Sequence, residues 1–341
     1  MVGLDIEPSY IAAAQVRVNG ALTIERAASS PLRPGVVRDG EVTEPELLTE
    51  ALSEFFATHK LDKKVRLGVA SQRIVVRTLD MPPLASRKEL EAAVRFQAQD
   101  HIPMPLDQTV LDFHSLGMVD TPQGERARVV VVAARRDMVE RLLTAARNAG
   151  LKPEGIDLSA FAMIRALRPD AGDTAAVLYV NAGGLTNLAV AQGGVCLFTR
   201  VVSSGMEGMV ANLAERRGLT LEHARQWLTH TGLEAPLETL EGDPAIIGEA
   251  RTVLEAGIRL VADEVRTSLD FYRAQPGAEP VERAVLTGPA VEIDGFGVQL
   301  SNQLGIPVEC AVVAEAVPGA LGGVSAGRMT VAAGLAVGER A

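Results

Sequence analysis

The sequence predicts an α/β fold made of two similar halves around a cleft. Three observations favour this fold: the length of 341 residues, an apolar content of 47% with only 4% aromatics, and an apolar strand–turn–strand pattern that occurs twice. At about 100 to 200 residues per domain, the length indicates two domains or one divided fold. A core of Ala, Val, Leu and Ile suits closely packed sheets and helices.

The opening residues predict a β-hairpin, with strands at 2–6 and 10–18 joined by a first turn at residues 7–9. Two capping-box patterns, Thr43 with Glu46 and Ser86 with Glu89, then predict helix starts. The apolar run at 127–134 has no polar alternation, which indicates a strand covered on both faces. The segment after it has the stripe of an amphipathic helix.

The pattern restarts after a polar break at 168–174. A strand at 175–180, a second turn at residues 181–186 and a strand at 187–191 repeat the opening, and 195–202 adds a third strand. The strand ends Asp5 and Asn181 are 176 positions apart, which is too far for a solenoid repeat and indicates two similar halves. Residues 204–275 are mainly helical, with the apolar stripe of a long helix near their end, and the last quarter returns to α/β.

Charge and cysteine content narrow the function classes. A net charge of −10 argues against nonspecific binding to nucleic acid or anionic lipid. Cys196 and Cys310 form no CxxC pair, so we interpret both as small core residues in a reducing compartment. The N-terminus lacks the features of a secretory signal, and charges interrupt every later apolar run before about 18 residues. We expect a cytoplasmic protein that does not insert directly into a membrane.

Common nucleotide and hydrolase motifs are absent from the sequence: there is no GxxxxGK[ST] loop, no GxGxxG in a strand-to-helix setting and no GxSxG elbow. The two hairpin turns and the segment LTGPA at 286–290 remain. Backbone N–H groups and a hydroxyl in such turns can cradle phosphate, and a strand-end carboxylate can hold hydrated magnesium. Residues of the right types are Asp5, Ser9, Gly183, Gly184 and Thr186. Taken singly, each turn is better explained as an ordinary hairpin turn.

Taken together and in chain order, these three segments resemble the phosphate 1, phosphate 2 and adenosine segments of the superfamily of actin and the heat-shock chaperone ATPases. Within it, the chain is similar over essentially its whole length to the PilM family, which comprises FtsA-like cytoplasmic proteins of type IV pilus assembly. The similarity is carried by VGLDIEPSYIAAAQV, by the segment AARRDMVERLLTAARNAGLKPEGIDLSAFA and by LVADEVRTSLDFYRAQ.

The resemblance implies an actin-like (ribonuclease H-like) duplicated fold with an FtsA-like inserted subdomain. The first half (1A) would comprise 1–71 and 117–172, and the insert (1C) would comprise 72–116. The second half (2A) would comprise 173–207 and 276–341, with a helical insert (2B) at 208–275.

The resemblance also implies a site for ATP with magnesium between the halves, although no catalytic residue can be assigned. Asp5 would hold the metal through water, and Gly288 would approach the adenosine. Glu264 and Arg266 would lie on a helix that flanks the adenine and ribose, although a solvated helix face explains them equally well. The implied nucleotide-binding residues are Asp5, Ser9, Asn181, Gly183, Gly184, Thr186, Glu264, Arg266 and Gly288.

Four departures from the family pattern fall at this site. The first turn has Glu7 where glycine is usual, and Ala12 replaces a basic residue. The second turn begins with Asn181 instead of aspartate, and Pro289 stands where glycines allow close backbone approach. A carboxylate repels phosphate oxygens, an amide lacks the charge that helps to hold magnesium, and proline has no N–H. We therefore expect weakened ATP binding and no efficient hydrolysis.

The inserted subdomain implies a partner. In the family, a groove beside it accepts the cytoplasmic N-terminal peptide of PilN, an inner-membrane protein. Phe96, Ile102 and Met104 are candidate groove residues, although packing at a helix end explains them more simply. The expected function is a scaffold that couples the pilus motor ATPase complex to the inner-membrane assembly complex. The alternatives are an active Mg-ATPase or phosphotransferase, and an FtsA-like division protein, which would need a C-terminal amphipathic helix where this chain ends in GLAVGERA.

Overall fold

The computed structural model describes residues 1–83, 86–122, 124–167, 175–275 and 277–337. Its strands are β1 (Val2–Ile6), β2 (Tyr10–Asn19), β3 (Ala21–Pro31), β4 (Val37–Arg38), β5 (Glu41–Val42), β6 (Lys64–Val69), β7 (Val75–Met81), β8 (Thr109–Thr121), β9 (Gly124–Arg135), β10 (Lys152–Leu158), β11 (Ala176–Ala182), β12 (Thr186–Gln192), β13 (Val195–Val202), β14 (Val281–Thr287), β15 (Val308–Cys310) and β16 (Ala314–Glu315). Its helices are α1 (Pro45–His59), α2 (Arg87–His101), α3 (Arg136–Asn148), α4 (Ser159–Ala166), α5 (Met206–Arg217), α6 (Leu221–Thr231), α7 (Pro244–Arg273), α8 (Phe296–Leu304) and α9 (Ala326–Ala336).

Two sheets repeat one topology. The first has the order β10-β6-β1-β2-β3-β16 and the second the order β13-β12-β11-β14-β15. In each, the first strand of the half, β1 or β11, pairs antiparallel with the following strand and parallel with a later one, β6 or β14. The prediction of two similar halves is confirmed, and so are the two predicted hairpins.

Helices α4 and α9 lie between the two sheets and join the halves. A Cβ added at Gly334 of α9 would lie 1.8 Å from the carbonyl oxygen of Ala162 in α4. One added at Gly3 of β1 would lie 1.9 Å from the carbonyl oxygen of Ala332. Only glycine allows backbone to approach backbone this closely. The C-terminal end of α9 is held by Arg165, which donates to the Gly334 carbonyl at 3.0 Å.

Helices α5, α6 and α7 lie between β13 and β14 in the chain and cover one face of the second sheet. The predicted stripe of α7, namely Ile258, Val261, Val265, Ser268 and Tyr272, is buried throughout, which confirms the periodicity. Burial of each large apolar side chain contributes about 1.5 to 3 kcal/mol. This helical layer therefore covers one face of the second sheet, and the other face of the sheet lies toward α4 and α9.

A separate three-stranded sheet, β7-β9-β8, packs against α2. The cap predicted for α2 is confirmed, since the Ser86 hydroxyl accepts from the Glu89 N–H at 3.2 Å. Because β9 pairs with both β7 and β8, the small sheet continues to Arg135, beyond the expected end of the insert at 116. The pairing argues for moving that boundary to Arg135. The division into subdomains otherwise stays a prediction, and its limits at 172, 173 and 276 lie outside the described residues.

Within the described ranges, each helix is too short or too polar to span a bilayer.

Candidate functional site

The first and second turns meet at the interface of the two halves. Their contact is close, since a Cβ added at Gly184 would lie 2.8 Å from Glu7 Oε2 and 2.9 Å from the Pro8 ring. One added at Gly183 would lie 3.5 Å from the Tyr10 hydroxyl. The topology causes this meeting, because both turns follow the first strand of a half and the two halves face each other. The sequence-predicted phosphate turns are thus brought together.

Asp5 and Ser9 lie on the first-half side of this interface. Asp5 is buried at the end of β1, and its Oδ2 has no hydrogen-bond partner among the described residues. The Ser9 hydroxyl is likewise buried without one. Gly68 of β6 leaves space for the carboxylate, because a Cβ there would lie 3.2 Å from Asp5 Oδ1. Burial raises the pKa of Asp5 to about 7.

Glu7 reaches from the first turn into the second. Its side chain is only 5% exposed, and Oε2 accepts a hydrogen bond from the Leu185 N–H at 3.3 Å. The backbone N–H of Gly184 also interacts with this carboxyl group. Burial, and then the neighbouring charge of Asp5, raises the pKa of Glu7 to about 8. The sequence suggested that Glu7 would repel a phosphate, but it did not reveal that the side chain contacts these N–H groups.

Most polar groups of the second turn form hydrogen bonds within the second half. The Thr186 hydroxyl donates to the Ser204 carbonyl at 2.5 Å, and the Gly183 carbonyl accepts from the Met206 N–H at 2.9 Å. Asn181 is buried, and its Oδ1 has no partner among the described residues. The turn is therefore a folded hairpin whose hydroxyl already has an acceptor.

Gly288 lies against the second turn. It has a φ of +85°, and a Cβ there would lie 2.0 Å from Asn181 Oδ1, so glycine is required both by conformation and by space. Its carbonyl contacts the start of α9, because a Cβ on Gly327 would lie 2.2 Å from it. Pro289 then begins a 3₁₀ turn at Pro289–Glu292. Gly288 and Asn181, predicted for one site, are brought into contact.

Glu264 and Arg266 of α7 point to different places. Glu264 lies 3.8 Å from Arg200 of β13, while Arg266 pairs with Asp263 and donates to the Gln303 carbonyl at the end of α8. Both pairs are partly exposed, where an ion pair contributes about 0 to 1 kcal/mol. The contacts of Arg266 named here are with residues of α7 and α8, and neither of the two turns is among them.

Ala12, which stands where the family has a basic residue, is fully buried in β2 against α9. In the described parts of the chain, no group of three or more His, Cys, Asp or Glu side chains could hold a metal ion. The cavity bordered by Asp5, Glu7 and Leu185 measures about 20 Å³, which is room for about one water molecule. This cavity is too small for a phosphate group.

The three expected groove residues do not share a surface. Phe96 is 72% exposed on the outer side of α2, whereas Ile102 is 5% exposed within the core of the small sheet. Met104 packs on that same core. Residues 94 and 98 form the buried face of α2, and Phe96 lies between them on the opposite face because a helix turns about 100° per residue.

A larger cavity, of about 490 Å³, lies between the small sheet and the two halves. Its lining includes the chain after β6, the start of β7 and the end of β13: residues 69–72, Ile74, Val76, Leu158, Ala160, Asn187, 199–203 and Glu264. This cavity could not be predicted from the sequence, because its walls come from segments that are distant in the chain and whose patterns indicate only ordinary strands.

Comparisons with known proteins agree with this geometry. The family described as type IV pilus assembly protein PilM matches residues 3–320. The chain is similar to the solved PilM-PilN type IV pilus biogenesis complex, with 26% identity, a TM-score of 0.79, and coverage of 98% of this chain and 97% of that one.

More distant structures show the fold alone. The ethanolamine utilization protein EutJ from Carboxydothermus hydrogenoformans has 15% identity and a TM-score of 0.54, covering 98% of this chain and 88% of that one. MreB5 of Spiroplasma citri bound to ADP has 12% identity and a TM-score of 0.53, with coverage of 98% and 94%. The fold is therefore actin-like, and the match along residues 3–320 shows that the chain belongs to the type IV pilus assembly protein PilM family.

Proposed function

We propose that this protein is a scaffold of the type IV pilus inner-membrane assembly complex that binds the cytoplasmic tail of a PilN-like membrane protein. The family membership and the similarity to a PilM-PilN complex support this function. The protein would bridge the pilus motor ATPase complex and the membrane protein, and it would reach the membrane through that partner. It would act by binding and not by turnover.

The cavity of about 490 Å³ is the observation that carries the proposal. Residues 199–202 at the end of β13 line it together with Ser203, and since strand side chains alternate between faces, the cavity must run along the edge of the strand. Within the described residues, β13 and β7 are each the last strand of a sheet, and they lie beside each other. The cavity is thus bordered by two sheet edges.

Sheet edges carry unpaired N–H and C=O groups that an extended peptide can pair with. The apolar side chains of Ile74, Val76, Leu158 and Val201 offer anchoring surfaces in the same cavity. The Arg200 and Glu264 pair stands beside them, and the rest of the lining is mainly polar. An extended tail with a few apolar side chains to fit these anchoring surfaces is the partner that this combination would recognise.

The first test measures binding of a synthetic apolar N-terminal peptide of a PilN-like protein to the full chain by fluorescence anisotropy. We expect Val201→Asp to weaken binding about tenfold or more, or by about 1.4 kcal/mol, because it introduces a charge beside the anchoring surface. Ser203→Trp, at an exposed position, should weaken binding by filling the cavity rim. Val298→Asp, on the exposed face of α8, is the matched control and should bind normally.

Phe96→Asp distinguishes the cavity from the outer face of α2. We expect unchanged binding in this variant, because Phe96 is largely solvated and does not line the cavity. Loss of binding in a folded Phe96→Asp variant, with normal binding by Val201→Asp, would place the site on α2 instead. Circular dichroism spectra and melting curves establish that each variant is folded.

We also infer that the cleft between the turns binds ATP weakly and does not hydrolyse it efficiently. Glu7 takes up the N–H groups of Gly184 and Leu185 in the second turn, Asn181 has an amide in place of a carboxylate, and Pro289 has no N–H. Asp5 is the residue that would hold magnesium, which would supply charge neutralisation to a bound phosphate.

The second test is steady-state phosphate release from Mg-ATP, measured with and without the peptide. We expect release at the level of the protein-free buffer in both cases. Isothermal titration in which ATP binds at micromolar concentration, together with measurable phosphate release, would instead favour an active Mg-ATPase or phosphotransferase.

A further inference from the structure

The contact between Glu7 and the second turn joins the two halves at their centre. Glu7 belongs to the first half and Leu185 to the second, and the hydrogen bond between them spans 178 positions of the chain. A Cβ added at Gly184 would lie 2.8 Å from the carboxyl oxygen that accepts this bond, and one added at Gly183 would lie 3.7 Å from it. Two consecutive N–H groups of the second turn, those of Gly184 and Leu185, therefore face the carboxyl group of Glu7, while the Gly183 N–H donates to the Leu185 carbonyl at 3.1 Å.

Consecutive backbone N–H groups that converge in a turn form a site for an anionic oxygen. A carboxyl oxygen has the same acceptor chemistry as a phosphate oxygen, and here it is covalently attached to the opposite half. We propose that Glu7 is a built-in ligand of the second turn: its carboxyl group takes the place of a bound oxyanion, so that the halves close without one. This inference does not depend on the partner proposed above.

The surroundings of Glu7 support this role. The remaining cavity of about 20 Å³ cannot admit a second oxyanion beside the carboxyl group. Asp5 and Glu207 face Glu7 with acidic groups, and Glu207 is already paired with Arg225 at 2.7 Å. Arg328 lies over the Tyr10 ring, 5.1 Å from its centroid. The second turn therefore faces Glu7 through N–H groups and not through a cation, as expected for a site that holds one oxygen by hydrogen bonds.

Glycine at position 7 would leave the N–H groups of the second turn open to an outside oxyanion. The test titrates inorganic tripolyphosphate into the wild-type chain and into Glu7→Gly and Glu7→Gln by isothermal calorimetry. We expect Glu7→Gly to bind about tenfold or more tightly than the wild type. Glu7→Gln, which keeps an oxygen acceptor of the same shape, should remain as weak as the wild type.

A second readout covers the case in which Glu7→Gly does not fold. Glu7→Leu fills similar space without an acceptor, so we expect the Leu185 amide to exchange with deuterium about tenfold faster than in the wild type and in Glu7→Gln. The proposal is overturned if folded Glu7→Gly binds tripolyphosphate no better than the wild type. It is also overturned if Glu7→Leu keeps the wild-type protection of Leu185.

Discussion

Gly334→Ala is expected to lower the free energy of unfolding by about 3 kcal/mol or more, through overpacking. The added methyl group would stand 1.8 Å from the carbonyl oxygen of Ala162, which is backbone of α4 and cannot rotate away. The two helices would have to separate, and α9 would lose contact with β1 at Gly3. Urea unfolding followed by circular dichroism measures this loss, and the apparent melting temperature should fall with it.

Gly248→Ala is the matched control for this substitution. Gly248 lies inside α7, and a Cβ there meets no atom within 4 Å. Alanine is a better helix former than glycine by about 0.8 to 1.0 kcal/mol, so this variant should be slightly more stable than the wild type. A Gly334→Ala protein as stable as Gly248→Ala would mean that α4 and α9 do not cross in contact.

Stability is expected to fall as the pH rises from about 4 to about 8. Both Asp5 and Glu7 have raised pKa values in the folded protein, to about 7 and about 8, with burial as the main cause. The folded state therefore binds more protons than the unfolded state, and the free energy of unfolding decreases with pH from the ordinary carboxyl range up to the folded values. The loss should be on the order of a few kcal/mol once both groups ionise.

Glu7→Gln isolates this effect from other groups that titrate in the same range. Glutamine keeps an oxygen for the Leu185 N–H and removes both the ionisation of residue 7 and its repulsion of Asp5. We expect the difference in stability between this variant and the wild type to grow from about pH 4.5 to about pH 8 and to level off above that. Chemical denaturation at a series of pH values supplies the two curves. Parallel curves would contradict the assignment of the pH dependence to Glu7.

Local sequence patterns predicted local structure well, with one exception at the start of α1. Ser86 caps α2 as expected, but the Thr43 hydroxyl donates to the carbonyls of Gly35 and Val36 in place of capping α1. Helix α1 begins at Pro45, with Glu44 as its N-cap and without a side-chain cap. The pattern of a capping box does not reveal that a carbonyl from an earlier loop competes for the same hydroxyl.

Two elements, β3 and α9, could not be predicted from the sequence, for opposite reasons. Strand β3 has only two fully buried apolar side chains, so its hydrophobic pattern is weak. Helix α9 is buried along most of its length, because both halves cover it, and it therefore lacks the polar stripe by which amphipathic helices are recognised.

The residue types of the candidate site were readable from sequence, but its contacts were not. Asp5, Asn181, Gly183, Gly184 and Gly288 are brought together because the duplicated topology makes their turns meet. The pairing of Glu7 with Leu185 depends on side-chain direction across the interface, which no local pattern encodes. The groove of Phe96 and Ile102 stays a prediction, and their exposure differs because Phe96 lies on the outer face of α2 while Ile102, the residue after this helix, is buried.

The position of α9 has a mechanical consequence for how the halves can move. The helix starts against the Gly288 carbonyl of the second half and ends on Arg165 and Arg66, which donate to the carbonyls of Gly334 and Val337. An α-helix is stiff, and this one has its two ends attached to different parts of the molecule. Opening the cleft therefore requires α9 to slide or rotate as a rod against α4. The relative motion of the halves should be a shear of packed helices, and not a hinge in a loop.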